Sequence, residues 1–350
     1  MNLCKLLFFA FCSSGLLFGQ TANEVLTIQE IDLDNIKSGS IQKFWLQLGS
    51  DSQNKPISIP VLVAKGNETG PVLGLTAAIH GNELNGIAII QNTFRGLDVS
   101  MLKGTLIGVP GINPISISNH KRKYIDDEDL NRNFPGKKEG NRSQQMAYQI
   151  NEKVLPHFDF HIDMHTASFG RINALYGRGD MANDTLAAML KLQLPDIIVS
   201  NKGKPSFGTS SGLTMRAAAL AQGIKSITVE YGDPQVYQPV MIERGERGID
   251  NLLKWLKMKP QNVEVPEIEN VCSKSYWLFA DQGGLLEIGV SLNEKVSKGQ
   301  RIAMVKNSFG EVLKEFYAPE EGIVIGKSTN PVNMSGGRII HLGILKSPSK

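Results

Sequence analysis

Short apolar runs alternate with segments of helical periodicity between residues 57 and 230. The apolar runs predict buried strands at 72–75, 106–109, 158–164 and 227–229. Apolar residues at helical spacing predict helices at 86–94 and 144–154. Strands that alternate with helices indicate an α/β fold, with a mixed, mostly parallel sheet flanked by helices. Because ligands bind at the carboxyl ends of strands in such sheets, polar residues there are the first candidates for a site.

The pattern changes after residue 256. Residues 257–270 carry two prolines and little periodicity, which is typical of a linker. From residue 271 to 350, glycines separate short alternating segments without a helical run, which predicts a small all-β domain. The stretches 283–305 and 318–326 resemble the β-sandwich of biotinyl and lipoyl carriers. Lys306 stands in Val-Lys-Asn and not in the Met-Lys-Met or Asp-Lys-Ala setting of a modified lysine, so we expect a structural appendage.

The first twenty residues predict a signal peptide. Lys5 is the only charged residue ahead of the apolar run 6–17, and small residues such as Gly19 follow as a cleavage point. The alternative, a membrane anchor, is disfavoured because the run is short and interrupted by polar residues. We therefore expect an exported protein, periplasmic or secreted, with no stable membrane span after signal removal.

Residues 21–256 are predicted to form the main domain of the mature protein, and the composition of the chain limits the chemistry available to it. Cys4 and Cys12 leave with the signal, so Cys272 would be alone, and any metal must be held by histidine and carboxylate. The formal charge is +3, from 37 basic and 34 acidic residues. The basic residues are scattered along the chain, so nothing indicates a nucleic-acid partner.

His80 and Glu83 follow the predicted strand at 72–75. A tight turn there can direct an imidazole and a carboxylate to one point, and both are good zinc ligands. Taken alone the spacing is weak, because a capping glutamate beside an unrelated histidine is common.

The predicted strand at 158–164 offers further ligands. Period-two alternation sends His161, Asp163 and His165 to one face of this strand. We favour His165 as the third ligand because it lies at the carboxyl end, as His80 does. Asp163 is placed to accept the second ring N–H of a ligand histidine. His161 is interpreted as a hydrogen-bonded core histidine.

Two further patterns suggest catalytic and binding groups. Glu230 ends the β-branched run 227–229, where packing explains a carboxylate poorly, and beside a zinc-bound water it would act as general base. The alternative is a strand-end glutamate that reaches solvent. Arg122, Asn131 and Arg132 lie in one stretch. An arginine beside an amide can hold a carboxylate, and a second arginine can face a developing oxyanion; the alternative for Arg122 is a solvated basic loop.

Five motifs occur in one order along the chain: His-Gly-Asn-Glu at 80–83, Asn-Pro at 113–114, Asp-Leu-Asn-Arg-Asn-Phe-Pro-Gly at 129–136, Asp-Met-His-Thr at 163–166 and Thr-Val-Glu-Tyr-Gly at 228–232. Together they resemble the succinylglutamate desuccinylase/aspartoacylase branch of the zinc carboxypeptidase superfamily. The resemblance covers roughly residues 55 to 345, since exported members also carry a β-rich C-terminal domain. It implies a carboxypeptidase-like α/β fold.

The resemblance also implies roles for particular residues. One Zn²⁺ per chain would be held by His80, Glu83 and His165, with Glu230 as general base. Asn131 and Arg132 would grip the substrate carboxylate, and Arg122 would polarise the scissile carbonyl. The family's additional substrate arginine has its counterpart in Arg216.

These observations predict a zinc-dependent hydrolase that cleaves an amide bond in a small molecule or short peptide bearing a free carboxylate. The leading interpretation is an N-acyl amino acid deacylase. A periplasmic metallocarboxypeptidase or cell-wall peptide amidase would use the same chemistry, and the signal peptide favours it. A catalytically inactive binding module is the third interpretation, and the presence of all the catalytic residues counts against it.

Overall fold

The computed structural model describes residues 25–202 and 212–346. The predicted signal segment 1–20 lies outside the described residues. The α-helices are α1 (Asn85–Arg95), α2 (Pro114–Ser118), α3 (Arg142–Lys153), α4 (Asp184–Leu192), α5 (Met215–Ala221) and α6 (Pro239–Trp255).

The strands in the described part of the chain are more numerous than the helices. They are β1 (Thr27–Ile28), β2 (Ser40–Ser50), β3 (Pro56–Lys65), β4 (Glu68–Ala77), β5 (Lys103–Val109), β6 (Phe160–His165), β7 (Arg171–Asn173), β8 (Leu175–Gly179), β9 (Ile197–Ser200), β10 (Lys225–Tyr231), β11 (Val271–Phe279), β12 (Gly284–Ile288), β13 (Lys295–Val296), β14 (Arg301–Lys306), β15 (Val312–Tyr317), β16 (Gly322–Ser328), β17 (Val332–Asn333) and β18 (Arg338–Leu345).

One large sheet organises the molecule, in the order β1-β2-β3-β5-β4-β6-β10-β8-β9-β11-β18-β16-β13, with β7 paired to β16. From β1 to β11, six neighbouring pairs are parallel and three are antiparallel. Beyond β11 every pairing in this sheet is antiparallel among the described residues. The sheet is therefore mixed, and the expected parallel character belongs to its first part.

Helices cover both faces of the central strands, as the alternating pattern predicts. The predicted strands at 72–75, 106–109 and 227–229 fall within β4, β5 and β10. The one predicted at 158–164 overlaps β6, which begins two residues later, and the two predicted helices correspond to α1 and α3. Leu73, Leu75, Ile162 and Val229 are fully buried in the central strands. One core lies between the sheet and helices α1, α4 and α6, and the other lies against α3 and α5. Removal of these apolar side chains from water holds the layers together.

The C-terminal residues both extend the large sheet and form a second one. Strand β11 pairs with β9 in parallel, and β16 pairs with β7. A separate antiparallel sheet has the order β15-β14-β12-β17, and its core includes Leu286 and Val305. This second sheet supports part of the expected β-sandwich. The boundaries at 256 and 271 stay a prediction, and residues 257–270 contain no helix or strand.

Lys306 and the helices can be compared with the expectations of a structural C-terminal domain and of no membrane span. The Lys306 ammonium forms an ion pair with Glu287 at 2.6 Å, and it stands on β14. Within the described residues, no helix has both the length and the apolar character needed to cross a membrane.

Candidate metal centre and active site

The three central parallel strands β4, β6 and β10 deliver polar side chains to one edge of the sheet. Glu230 on β10 is in register with His165 on β6, since the strands pair in parallel. The turn after β4 carries His80 and Glu83, and the amide N–H of Glu83 donates to the carbonyl of His80. Ala78, just before this turn, has a φ of +58°, a conformation that non-glycine residues rarely adopt. The backbone is thus bent sharply where both side chains leave it.

Gly81, between the two side chains, is packed directly against the chain after β5. A Cβ atom at Gly81 would lie 2.0 Å from the carbonyl carbon of Ser116, so the backbone would have to move. The Gly81 N–H also donates to the carbonyl of Lys121. Only glycine fits this approach without a shift of the His80–Glu83 turn.

We expect Gly81→Ala to lower the free energy of unfolding by about 1–3 kcal/mol, as overpacking typically does. Displacement of the turn by about 1 Å should also reduce turnover by about a hundredfold. Calorimetric unfolding and steady-state kinetics measure the two effects. Gly96→Ala is the matched control, because a Cβ there would meet a single atom at an ordinary 3.5 Å. Equal stability and activity of the two variants would contradict this account of the turn.

His80, Glu83 and His165 bring one ligand atom each within 4.8 Å of one another, and all three residues are buried. His165 Nδ1 lies 2.7 Å from Glu83 Oε2, and His80 Nδ1 lies 2.9 Å from Glu83 Oε1. Two imidazole nitrogens therefore face the two oxygens of one carboxylate. Two histidines and one carboxylate are a common ligand set of catalytic zinc.

A carboxylate holds the far nitrogen of each of these histidines. His80 Nε2 lies 3.0 Å from Asp129 Oδ1, and His165 Nε2 lies 3.0 Å from Asp163 Oδ2. The second contact is the one expected from sequence. Such hydrogen bonds fix the tautomer of a ligand histidine, so that its other nitrogen points its lone pair at the metal.

The charges within the metal-ligand cluster favour a bound cation. Burial opposes a charged imidazolium, yet Asp163 and Glu83 raise the pKa of His165 well above its usual range. Burial likewise opposes ionisation of Glu83, but His80 and His165 hold the pKa of that carboxyl well below 4.5. His80 Nδ1 has no hydrogen-bond partner among the described residues, although Glu83 is close. A buried nitrogen without a hydrogen bond, beside ionised carboxylates, is the environment that a divalent metal ion would complete.

His161 has a different environment. Its Nε2 lies 2.9 Å from Thr76 Oγ1, its Nδ1 lies 2.8 Å from Ser226 Oγ, and its ring stacks on Phe158. Burial lowers the pKa of His161 to about 4. The residue is a satisfied core histidine, and it is not part of the metal-ligand cluster.

Arg122 lies between the metal-ligand cluster and the loop that contains Asp129. Its Nη1 donates to Glu83 Oε1 at 2.9 Å and to Ser168 Oγ at 3.0 Å, and its Nη2 donates to Asp129 Oδ2 at 2.9 Å. Arginine has five N–H donors, so two remain for another group. The structure thus brings Arg122 to the site, and it also gives the guanidinium a role in holding Glu83 and Asp129.

The three other residues expected to bind substrate also line the cavity beside the cluster. Asn131 Oδ1 accepts from the backbone N–H of Met215 at 2.7 Å, which leaves the amide nitrogen directed toward His165 at 3.4 Å. Arg132 Nη1 donates to the carbonyl of Asn131. Arg216 donates to the side chain of Asn201 at 3.0 Å, and burial together with the nearby Arg178 lowers its pKa to about 10.

Glu230 faces the cavity from the end of β10. Asn173 Nδ2 donates to Glu230 Oε2 at 3.3 Å. Burial raises the pKa of the Glu230 carboxyl, and the charge of Glu83 raises it further against the opposing effects of His165 and Arg178. A carboxyl with a raised pKa is better matched to proton transfer near neutral pH than an ordinary one.

One cavity of about 670 Å³ is lined by the metal-ligand cluster and by Arg122, Asp129, Asn131, Arg132, Arg216 and Glu230. The C-terminal strands contribute to its lining, since β11 provides Trp277 and Phe279 and β18 provides Arg338 and His341. Residues of the C-terminal strands therefore form part of the cavity lining, and the β9–β11 and β7–β16 pairings join these strands to the first part of the chain.

A family model described as the succinylglutamate desuccinylase/aspartoacylase catalytic domain matches residues 69–256. The match spans more than half of the chain. The protein belongs to this family. The residues matched include His80, Glu83, His165 and Glu230, and the resemblance expected from sequence is confirmed.

Individual relatives of this desuccinylase/aspartoacylase family member are distant. The N-alpha-acetyl-L-2,4-diaminobutyric acid deacetylase of Halomonas elongata is 24% identical over 316 residues, which are 88% of this chain and 91% of that protein. A succinylglutamate desuccinylase of Pseudomonas aeruginosa is 27% identical over 215 residues, which are 55% of this chain and 61% of that protein.

Solved structures extend the similarity over nearly the whole molecule. The product-bound ectoine utilization protein EutE (DoeB) from Ruegeria pomeroyi has a TM-score of 0.79 at 22% identity, and the match covers 90% of this chain and 97% of that one. A succinylglutamate desuccinylase/aspartoacylase from Rhodobacter sphaeroides also has a TM-score of 0.79 at 22% identity, covering 92% of this chain and 100% of that one. At such identities the likeness shows the fold alone.

The structure adds site residues of this family member that the sequence did not single out. Asp129 bridges His80 and Arg122, and Asn173 contacts Glu230. The sequence identifies Asp129 only as the first residue of the motif 129–136, and its spacing from His80 does not predict their contact. Trp277 and Arg338 gave no signal, because their position depends on how distant strands pair.

Proposed function

We propose that the protein is a zinc-dependent amidohydrolase that removes the acyl group from an N-acyl amino acid. The observation that carries this proposal is the meeting of one ligand atom each from His80, Glu83 and His165 within 4.8 Å, in a cavity that Glu230 also lines. Membership of the desuccinylase/aspartoacylase family supports the reaction class, since the relatives named above are deacylases.

His80, Glu83 and His165 would hold one Zn²⁺ per chain, and the carboxylates of Asp129 and Asp163 would orient the two imidazoles. Zinc supplies Lewis acidity, which acidifies a water molecule and polarises a carbonyl. All three ligand residues line the cavity, and a catalytic zinc with three protein ligands would keep its fourth position for water or substrate.

The remaining chemistry falls to the protein's own side chains. Glu230 accepts the proton of the attacking water and later delivers it to the leaving amine, which is general base followed by general acid catalysis. The free N–H groups of Arg122 offer hydrogen bonds to the oxygen of the scissile carbonyl as negative charge develops there. Asn131 and Arg132 hold the substrate carboxylate by an amide N–H and a planar guanidinium, and Arg216 lines the same cavity.

Two further features accompany this proposal. The proposed zinc site, with two histidines, one glutamate and a glutamate base, is carboxypeptidase-like. The predicted signal segment supports action outside the cytoplasm. Trp277, Phe279 and Arg338 line the cavity beside the metal-ligand cluster, and a lining of such large side chains favours a small N-acyl amino acid over a long peptide.

A substrate panel tests the proposal against its alternatives. We expect hydrolysis of N-acetyl and N-succinyl amino acids, loss of turnover with a chelator and recovery with zinc. The corresponding amino acid amides, which lack the carboxylate, should be poor substrates, because a site built to hydrogen-bond a group rejects the analogue without it. Cleavage of peptides or muropeptide fragments but not of N-acyl amino acids would favour the peptidase alternative. Ligand binding without any turnover would indicate the inactive module.

A further inference from the structure

Strand pairing fixes the backbone of Glu230 but not the direction of its carboxylate. Several rotatable bonds lie between the backbone and the carboxylate, and the last of them has a broad torsional preference. A general base must come within hydrogen-bond reach of the proton that it takes, so its orientation affects turnover. Asn173 Nδ2 donates to Glu230 Oε2 at 3.3 Å. This bond engages one carboxylate oxygen, so the other can take the proton of the attacking water.

The side chain of Asn173 has Glu230 on one side and bare backbone on the other. Asn173 is buried and lines the cavity. Both oxygens of an ionised Glu230 are acceptors, so the Asn173 amide must turn its N–H toward them and its oxygen away. On the oxygen side, a Cβ atom at Gly326 would lie 2.5 Å from Asn173 Oδ1. Any side chain at position 326 would therefore push the amide out of its place.

The backbone of Asn173 is held by the C-terminal strands. Asn173 stands on β7, and β7 pairs with no described strand except β16. In this ladder Asn173 lies directly opposite Gly326, and the N–H of Ala174 donates to the carbonyl of Ile325 at 2.9 Å. The position of the residue that contacts Glu230 thus depends on β16, which lies outside the residues 69–256 of the family match.

Strand β16 is irregular at this point. Its register against β18 shifts between Val324 and Gly326, which marks a β-bulge. Bulges are frequent beside active sites, where they redirect a side chain. Glycine inside a strand often marks a bulge or the close approach of another part of the chain. Both features occur directly opposite Asn173, on the strand that holds it.

We propose that Asn173 is a positioning residue for the general base, and that the C-terminal strands set its place through Gly326. This inference rests on the proposed function and extends it beyond the catalytic domain of the family match. In it, the C-terminal strands contribute to turnover as well as to the cavity lining, because they fix the asparagine that orients Glu230.

Two substitutions of Asn173 separate hydrogen bonding from packing. Asn173→Ala and the isosteric Asn173→Asp both remove the N–H donor. With an N-acyl amino acid that wild type hydrolyses, each should lower kcat about ten- to hundredfold at neutral pH, as expected for a lost hydrogen bond to a charged group. KM and the zinc content should stay near the wild-type values. Full kcat in Asn173→Asp, which keeps the side-chain volume, would show that Asn173 only fills space and would overturn the inference.

Gly326→Ala tests the contribution of the C-terminal strands. The added methyl group should displace the Asn173 amide from Glu230 and lower kcat about as far as Asn173→Ala does. In the double variant the second substitution should cause no further loss, because both act on one hydrogen bond. Additive losses in the double variant, or wild-type kcat in Gly326→Ala, would refute the role of the C-terminal strands.

Gly343→Ala is the matched control for this substitution. Gly343 stands on β18, next to β16 in the same sheet. The nearest atoms to a Cβ there would be the side chains of Cys272 at 2.6 Å and Ile325 at 2.7 Å. Gly343→Ala therefore overcrowds the same strands without touching Asn173, and its kcat should equal that of wild type. A loss of kcat as large as that of Gly326→Ala would mean that any strain in these strands lowers turnover, which would contradict the proposal.

Crystal structures of the variants separate this inference from the proposed function. If wild type hydrolyses N-acyl amino acids and Asn173→Ala does so equally well, only the inference is refuted, and β10 with Tyr176, which lies opposite Glu230 on β8, suffices to orient the base. If wild type hydrolyses none of them, the proposed function fails, and the position of the Glu230 carboxylate decides the inference. It should be single in wild type and displaced or multiple in Asn173→Ala and Gly326→Ala. One unchanged position in all three proteins would refute the positioning role.

Discussion

Replacement of Glu230 by glutamine should lower turnover by about 10²–10⁴-fold, the usual contribution of a general acid–base group. Glutamine keeps the shape of the side chain and can still accept the hydrogen bond from Asn173, but it cannot take a proton. KM should change little, because the loss concerns the transition state and not ground-state binding. Steady-state kinetics, together with zinc analysis of the purified variant, make the measurement.

Glu264→Gln provides the matched control for this prediction. Glu264 is exposed, it lies in the segment 257–270, and the same substitution there should leave turnover unchanged. Near-normal turnover of Glu230→Gln with zinc bound would refute the assigned role. Joint loss of zinc, stability and activity would indicate a structural role for Glu230 instead.

The second large effect concerns the metal. His165→Ala removes one of two imidazole ligands, so the purified variant should contain far less than the one zinc per chain expected of wild type, and its turnover should be abolished. His80→Ala should behave alike. Elemental analysis after exhaustive dialysis measures the zinc content directly.

His161→Ala is a demanding control, since His161 lies on the same strand and faces the same side as His165. It should keep the zinc but lose stability, by about 1–3 kcal/mol, because Thr76 and Ser226 would lose a buried hydrogen-bond partner. Loss of zinc in His161→Ala with retention in His165→Ala would reverse the ligand assignment.

The sequence predicts those parts of the site that follow directly from strand ends. His80, His165 and Glu230 each come after a short apolar run, and parallel strands bring their carboxyl ends to one edge. Asp163 was also predictable, because it lies two residues from His165 on the same face of one strand. Local periodicity is sufficient for these residues.

The remaining contacts depend on long-range packing that periodicity does not encode. Asp129 is 49 positions from His80 in the chain, and only the folded loop brings the two together. The position of the C-terminal strands likewise depends on long-range packing. Their alternating pattern predicted an all-β unit, but it could not predict that β11 would pair with β9, which is what carries Trp277 to the cavity.

The continuous sheet should also keep the protein assembled after proteolytic cleavage. A protease that cut the segment 257–270 would sever the covalent connection between the hydrolase portion and the C-terminal strands. The fragments would still share the backbone ladders of β9 with β11 and of β7 with β16, on opposite sides of the cut. We therefore expect a nicked molecule to stay assembled, and the two pieces, produced separately, to be able to complement one another.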